Sequence, residues 1–238
     1  MSIGLQLVDT KDWNVRLNAS YNTNHNKVLS IGNAVPFAIG GFSSRTVQTV
    51  VAEGEPVGFI RGYKAVLNPD NSLKEILPLQ NLGSTLPTAY GNFSLSASYK
   101  NLSFMLSGDY QYGAYVHSFD RQFRFSKGLK DDAIPEKALE GLDQGANWLN
   151  FTNFFVEKSD FLKIRNIGIA YDYKPKKYLK SVNLAFNVYN PFAFTASSVD
   201  PEAALAGARS QGAVAVGGLN YSSYSTPRQY VGTIRVSF

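Results

Sequence analysis

The sequence predicts an all-β fold, an antiparallel transmembrane β-barrel, on three observations. Short segments throughout the chain alternate apolar with polar residues, which is the period-two pattern of β-strands. No stretch approaches the roughly 18 consecutive apolar residues that a transmembrane helix needs. The polar positions hold mostly Asn, Ser, Gly and Gln. A hydrated barrel interior favours such residues, whereas the outer face of a soluble sandwich is rich in charge.

The alternation predicts about eight strands in all. It is clearest at 3–7, 13–22, 92–99, 102–112, 166–173, 182–189 and 228–238. In the last of these, the apolar face holds Tyr230, Gly232, Ile234, Val236 and Phe238. A soluble sheet whose apolar face covers a core is the alternative interpretation of the same pattern.

The connections predict an orientation, because outer-membrane barrels have short periplasmic turns and long external loops. Short turns fall near 9–12, 100–101 and 174–180, and these are expected in the periplasm. Long segments fall near 25–88, 114–159 and 193–227, and these are expected outside the cell.

Aromatic residues mark the ends of the predicted apolar faces, where a membrane barrel places its interfacial girdles. Trp13 and Tyr21 are eight residues apart on one strand. At a tilt of about 40° that separation spans roughly 20 Å of the ~25 Å apolar band. The residues predicted at the membrane interface are Trp13, Tyr21, Tyr99, Tyr110, Tyr171, Tyr230 and Phe238.

Charge and cysteine content narrow the function classes. The net charge is +5, but the basic residues are scattered and form no helix-borne stripe, so no nucleic-acid partner is predicted. Cysteine is absent, which excludes disulfides and thiolate metal sites. The first residues lack the layout of a secretory signal. A membrane barrel of this kind is therefore expected to be a piece of something longer, or one chain of a split protein.

Several segments, taken in order, resemble the C-terminal region of SusC/RagA-type TonB-linked outer-membrane transporters. They include Asn187-Val-Tyr-Asn-Pro-Phe192 and Thr226-Pro-Arg228 before the terminal strand. The full set is 10–14, 24–28, 54–58, 62–63, 98–101, 160–171, 174–180, 187–192, 199–202 and 226–228. Each motif alone is weak, and the ordered series covers nearly the whole chain. The sequence departs from the family in the small residues from Ala203 to Gly218.

The resemblance implies a 22-stranded barrel with an N-terminal plug, of which residues 1–238 form the C-terminal part. Implied partners are that N-terminal barrel and plug part, a SusD-like surface lipoprotein, TonB through the missing part, and outer-membrane lipid. The implied location is the cell outer membrane. Residues 2–9 are then expected to expose an unpaired strand edge, which another polypeptide segment completes.

The expected function is import of an oligosaccharide or peptide across the outer membrane, as a fragment or as one chain of a split barrel. One alternative is a SusC-like scaffold that transports nothing within a larger assembly. Another is a soluble all-β binding domain. No enzyme activity, cofactor or metal site is predicted.

Candidate binding residues lie in the long connections. Trp148 and Phe151 are expected either to stack on a sugar or to pack within their own loop. Arg121 and Arg124 are expected to meet carboxylates of a ligand, or to pair with acidic residues such as Asp131 nearby. His25 and His117 are interpreted as solvated loop side chains. The acidic segment 131–140 is interpreted as a loop with a short helix that starts near Pro135.

Overall fold

The computed structural model describes residues 1–41, 47–175, 179–202, 217–221 and 224–238. Its strands are β1 (Ser2–Asp9), β2 (Trp13–Ser20), β3 (Asn22–Thr23), β4 (Phe37–Gly41), β5 (Gln48–Val51), β6 (Phe59–Leu67), β7 (Leu73–Ser84), β8 (Ala89–Tyr99), β9 (Leu102–Tyr112), β10 (Tyr115–Ser118), β11 (Val156–Lys158), β12 (Phe161–Tyr173), β13 (Ser181–Thr195), β14 (Leu219–Asn220) and β15 (Gln229–Ser237). Between β10 and β11 lie α1 (Phe119–Ser126), α2 (Gln144–Asn147) and two 3₁₀ helices, Glu136–Leu139 and Trp148–Phe155. The predicted all-β class is confirmed. None of the helices in these residues is long and apolar enough to cross a membrane.

The largest sheet has eight strands in the order β1-β2-β8-β9-β12-β13-β15, and β3 continues β2 along β8. All its pairs are antiparallel. Short turns join β1 to β2, β8 to β9 and β12 to β13, as predicted, and residues 176–178 of the third turn lie outside the described residues. The three long connections all leave from the opposite end of the sheet. Within the described residues, β1 and β15 each pair on one side only, so the sheet is open at both edges.

The register brings the apolar alternates of neighbouring strands opposite one another. Leu17 of β2 faces Leu95 of β8, and Ile169 of β12 faces Phe186 of β13. Because directly paired residues lie on the same side of a sheet, these pairs make one continuous apolar face. The polar alternates form the other face, as the sequence predicts.

Two register shifts interrupt the alternation within the eight-stranded sheet. In β1 the bulge lies between Gln6 and Val8, so that Val8 rather than Leu7 lies opposite Val15. Leu7 has no partner in β2, so the alternation predicted for 3–7 does not continue in phase to Val8. The second bulge, at Arg165 in β12, is adjacent to the candidate site.

The buried core lies in the long connections rather than under the sheet. One cluster contains Phe125, Phe151 and Phe155, and a second contains Ile60 and Leu219. Among the buried apolar side chains in the part of the chain that the structure describes, only Phe161 and Pro191 belong to the eight-stranded sheet. The connections therefore pack against one another.

The connections are more regular than the sequence indicates. Strands β4 to β7 form a four-stranded antiparallel sheet within the segment 25–88, which was expected to be irregular. Strand β6 is buried on both faces at Phe59 and Ile60, so its sequence shows no clean alternation. A third small sheet has the order β11-β10-β14, and β14 joins β10 in parallel.

Candidate functional site

A cavity of about 680 Å³ opens on the polar face of the sheet, at the end from which the long connections leave. It is called the inner cavity below. Strand ends supply one wall, and the segments that follow β7 and β13 supply the other. The lining residues used below are Asn92, Asp109, Gln111, Tyr115, Phe161 and Glu202.

The strand register determines which side chains face the cavity. Asp109 of β9 lies between Asn92 of β8 and Lys163 of β12, and Gln111 lies opposite Phe161. These residues occupy the polar side of three adjacent strands. The Gln111 amide is held in place, because its Nε2 donates to the Ser159 carbonyl oxygen at 3.0 Å and to the Ser159 hydroxyl at 3.1 Å.

A glycine permits the close approach of two segments at the cavity wall. A Cβ atom on Gly91 would lie 2.0 Å from the Ser20 carbonyl oxygen and 2.7 Å from the Tyr110 hydroxyl. That hydroxyl donates to the same carbonyl at 3.0 Å. Only glycine fits this point of β8, where β2 passes into β3.

A network of five charged side chains lies between the sheet and the segment after β13. We call it the Lys163 network. The Lys163 ammonium donates to Asp200 and to Glu202, each at 2.6 Å. The Arg165 guanidinium binds Asp109 through two nitrogens, one at 2.8 Å, and also contacts Glu202. Only 5% of the Lys163 side chain is exposed, so its two carboxylate partners offset the cost of burying its charge.

Two carboxyl groups of this network, those of Asp200 and Glu202, have pKa values below their usual range. Burial alone raises the pKa of Asp200, but the hydrogen bonds from Lys163 and from the Glu202 amide outweigh it and lower the pKa below its usual value. Burial likewise raises the pKa of Glu202, and the bonds from Arg165 and Lys163 lower it by more. Asp200 and Glu202 therefore remain ionised beside Lys163 and Arg165 at neutral pH.

A second network ties the same segment to the helical connection. Arg121, on α1, donates to Asp131 at 2.9 and 2.5 Å and contacts Glu157. Glu157 accepts from the Ser198 hydroxyl at 2.8 Å. The sequence left two partners open for Arg121, a ligand carboxylate or an acidic residue nearby. In the structure Arg121 pairs with Asp131. Arg124 is exposed.

The predicted aromatic binding residues pack inside the connection. Phe151 is fully buried and contacts the ring of Phe125 edge-on at 5.8 Å. Trp148 is half-buried and packs against both core clusters. Trp148, Phe151, Arg121 and Arg124 do not line the inner cavity. The short helix expected near Pro135 is present as the 3₁₀ helix Glu136–Leu139.

Most of the aromatic residues predicted at a membrane interface are exposed, and their place at an interface stays a prediction. Trp13 stacks on Tyr99 with ring centroids 4.5 Å apart. Tyr110 differs from the others because its side chain is half-buried. Its hydroxyl donates a hydrogen bond to the Ser20 carbonyl oxygen at the wall of the inner cavity. Large exposed fractions are found for Trp13, Tyr21, Tyr99, Tyr171, Tyr230 and Phe238.

His117 is buried, so its interpretation as a solvated loop residue is wrong. It lies in β10, which packs between β11 and β14. Its Nε2 donates to Gln122 Oε1 at 2.6 Å, and the Gln122 amide donates to Thr152 at 2.9 Å. Burial lowers the pKa of His117 to about 4, which keeps the ring neutral. His25 is exposed, as expected.

The residues of the Lys163 network were not singled out from the sequence. One signal was available, because Asp109 falls on the predicted polar face of its strand. Opposite charges on neighbouring polar faces favour contact. The pairing of β9 with β12, across a connection of nearly 50 residues, was needed to bring Lys163 beside it.

No family model matches the sequence, and no curated protein matches it. Solved structures align with the whole chain, and three of them are the RagAB peptide importer in the open-open state (19% identity, TM-score 0.69, 28% of that chain) and in the closed-closed state (20%, 0.71, 29%), and the RagAB peptide transporter (20%, 0.68, 28%). The chain spans less than a third of the length of the chains that it matches. At this identity the likeness is one of fold.

Proposed function

We propose that this chain is the C-terminal part of a SusC/RagA-type, TonB-dependent transporter of the outer membrane. The eight-stranded sheet forms part of the barrel wall, and the long connections form extracellular loops. A peptide or oligosaccharide passes the inner cavity on its way through the barrel. The whole-chain alignment with part of a peptide importer supports this proposal.

The exposed apolar face of the sheet is the observation that carries the proposal. Ile169, Leu184 and Phe186 lie near its centre, and each is between 45% and 48% exposed. Soluble monomers rarely expose contiguous apolar patches larger than a few hundred Å². The apolar face of this sheet spans seven successive strands and is stabilised by contact with an apolar medium. In a membrane barrel that medium is the hydrocarbon of the bilayer.

The open edges support the same proposal. Inside a bilayer, each unpaired backbone N–H or C=O costs several kcal/mol, so a sheet that crosses it must close. The outer edges of β1 and β15 therefore require further strands, which the proposal assigns to an N-terminal barrel part with its plug. TonB acts through that part, and a SusD-like lipoprotein covers the extracellular loops.

The inner cavity favours import over a scaffold role. A cavity of about 680 Å³ between strands and loops has the size of a ligand-binding site, and a scaffold that transports nothing does not require one. Uptake of a fluorescent pentapeptide by cells that carry the gene, compared with cells that lack it, tests this choice. Equal uptake by both cell types is the result expected of a scaffold.

Site-directed labelling tests the membrane assignment directly. The chain has no cysteine, so single-cysteine variants need no background removal. An environment-sensitive fluorophore on Ile169→Cys or Leu184→Cys in outer membranes is expected to report hydrocarbon. The neighbours Ala170→Cys and Ala185→Cys are the matched controls and are expected to report water. A dry protein environment at all four positions would contradict the proposal.

Copurification tests the open edges. The tagged chain, extracted in mild detergent from its native membrane, is expected to bring a plug-bearing polypeptide with it or to be covalently continuous with one. A stable monomer of this chain alone in the membrane would show that the two edges need no partner.

A further inference from the structure

The charges around the inner cavity are unevenly distributed. The described residues that line it include two carboxylates, Asp109 and Glu202, and no lysine, arginine or histidine. Each carboxylate retains about 30% exposure of its side chain. A ligand in the cavity therefore meets acidic groups and no basic ones.

The cations that pair with these carboxylates are not among the described residues that line the inner cavity. Lys163 and Arg165 line a separate, smaller cavity of about 200 Å³ together with Asp200. Two of the three carboxylates of the Lys163 network therefore line the inner cavity, whereas the third carboxylate and both cations line the smaller one. Its three carboxylates and two cations leave one net negative charge. Because each carboxylate oxygen accepts more than one hydrogen bond, Asp109 and Glu202 retain capacity for a further donor.

Aromatic rings add to the preference for positive charge. Tyr90, Tyr115 and Phe161 line the same cavity. The Phe161 ring already has the Lys163 ammonium 5.1 Å and the Arg165 guanidinium 6.0 Å from its centroid. Tyr90 and Tyr115 are therefore the rings considered for a ligand cation. The faces of aromatic rings attract cations. The wall of the inner cavity is therefore suited to a cationic group by both its carboxylates and its rings.

We infer that the inner cavity is a charge-selective binding site for a ligand that carries a protonated amine. The amine lies against Asp109 and Glu202, and the amides of Asn92 and Gln111 bind neighbouring polar groups of the ligand. This inference rests on the proposed function, since it takes the cavity to lie on the solute's path. A lysine-containing peptide and an amino-sugar oligomer both supply the required group.

Matched ligands that differ in the charge of their amine groups test the inference on the protein extracted from its native membrane with its partners. The peptide probes are capped Gly-Gly-Lys-Gly-Gly, its Nε-acetyl-lysine form and its glutamate form. The sugar probes are the tetramer of glucosamine and the tetramer of N-acetylglucosamine. Calorimetry is expected to show about tenfold tighter binding of the amine in at least one pair, since one net charge at contact range contributes on the order of 1–2 kcal/mol. The pair that shows the difference identifies the source of the amine.

Two isosteric variants assign the effect to the network. Asp109→Asn leaves Arg165 with Glu202, and Glu202→Gln leaves Lys163 with Asp200, so each cation keeps a carboxylate partner. Either variant is expected to reduce the tenfold preference to less than about threefold, with unchanged affinity for the acetylated probe. Asp132→Asn, an exposed carboxylate in the helical connection, is the control and should keep the full preference.

Salt dependence tests the inference without any substitution. The preference of the unaltered protein for lysine over acetyl-lysine should fall as the salt rises from about 0.05 to about 0.5 M, because ions screen the attraction. Equal affinities for all probes, or tighter binding of the glutamate peptide, would overturn the inference and leave the barrel assignment intact. Amine-selective binding by a protein whose Ile169 label reports water would instead overturn the proposed function and keep the site. Absence of binding by every probe would also overturn the inference, and the Ile169 label would still decide the barrel assignment separately.

Discussion

The eight-stranded sheet and the long connections are stabilised in opposite ways. The connections enclose two apolar clusters, and Phe151, Phe155 and Leu219 are inaccessible to solvent. The sheet exposes its apolar side chains on one face and has two open edges, with Ile234 of β15 73% exposed. A hydrophobic core thus stabilises one region from within, whereas the other depends on what surrounds it. The two regions should therefore respond differently to mutation, solvent and pH.

The largest expected effect is on the core of the connections. Phe151→Ala removes a fully buried ring, and large-to-small changes of this kind cost about 3–5 kcal/mol. Fluorescence of Trp148, which packs against the same cluster, measures the unfolding of this region in a Trp13→Phe background. The exposed Phe123 provides the control, since Phe123→Ala should cost much less. Loss of the strands at the same denaturant concentration would show that the two regions unfold as one unit.

The apolar face should tolerate charge poorly. Ile169→Arg places a guanidinium near the middle of that face, where a cation in a barrel costs about 2–4 kcal/mol. The expected result is lower yield of folded protein in vesicles and a lower midpoint in urea. Ser103→Arg, on the polar face of the adjacent strand, should cost less than about 1 kcal/mol. Similar costs for both variants would mean that the two faces meet the same medium.

The buried histidine should make the connections sensitive to acid. The pKa of His117 is about 4 in the folded chain, below the ordinary value of 6.5, because burial disfavours the charged ring. Unfolding therefore takes up a proton between those values. Stability is complete above pH 6.5 and declines by up to about 3 kcal/mol as the pH falls toward 4. Trp148 fluorescence in denaturant at several pH values measures this, and His25→Gln should leave the profile unchanged whereas His117→Gln should flatten it between these pH values.

The smallest expected effect concerns the short-turn end of the sheet. Tyr99→Ala removes the ring that stacks on Trp13, and such aromatic pairs contribute about 0.5–1.5 kcal/mol. Trp13 fluorescence in a Trp148→Phe background reports the change. The fully solvated Tyr224 is the comparison, because Tyr224→Ala should alter stability by less than about 0.5 kcal/mol. A loss well above 2 kcal/mol would indicate that this end is packed like a core.

The sheet was predictable from the sequence because the period-two alternation indicates where each strand lies and which of its side chains share the apolar face. Tyr171 and Leu184 were assigned to the apolar face of successive strands, and they are directly paired. The short turns that join such strands fix their register locally. The bulges in this sheet were not predicted. An unpaired residue such as Leu7 fits the apolar–polar alternation of its own strand and is recognised only when the partner strand is known.

The connections and the inner cavity were not predictable in this way. Their strands pair across long separations, and β6 is buried on both faces, so no local pattern marks them. Loop residues were assigned by type, which led to the solvated interpretation of His117. The Lys163 network joins Asp109 to Glu202, more than 90 residues later, and only the assembled fold brings them together. The stretch 203–216, noted for its small residues, lies outside the described residues.

The parallel pairing of β14 with β10 has a consequence for the order of folding. His117 and Leu219 are about 100 residues apart in the chain and meet through that pairing alone. Contacts of such long sequence separation form late, because the entropy of closing a large loop must be met first. Hairpins such as β8–β9 and β12–β13 close over a few residues and should form early. The part of the inner cavity beside β10 and β14, lined by Tyr115 and Gly218, should then form after the strands of the eight-stranded sheet that line its other side.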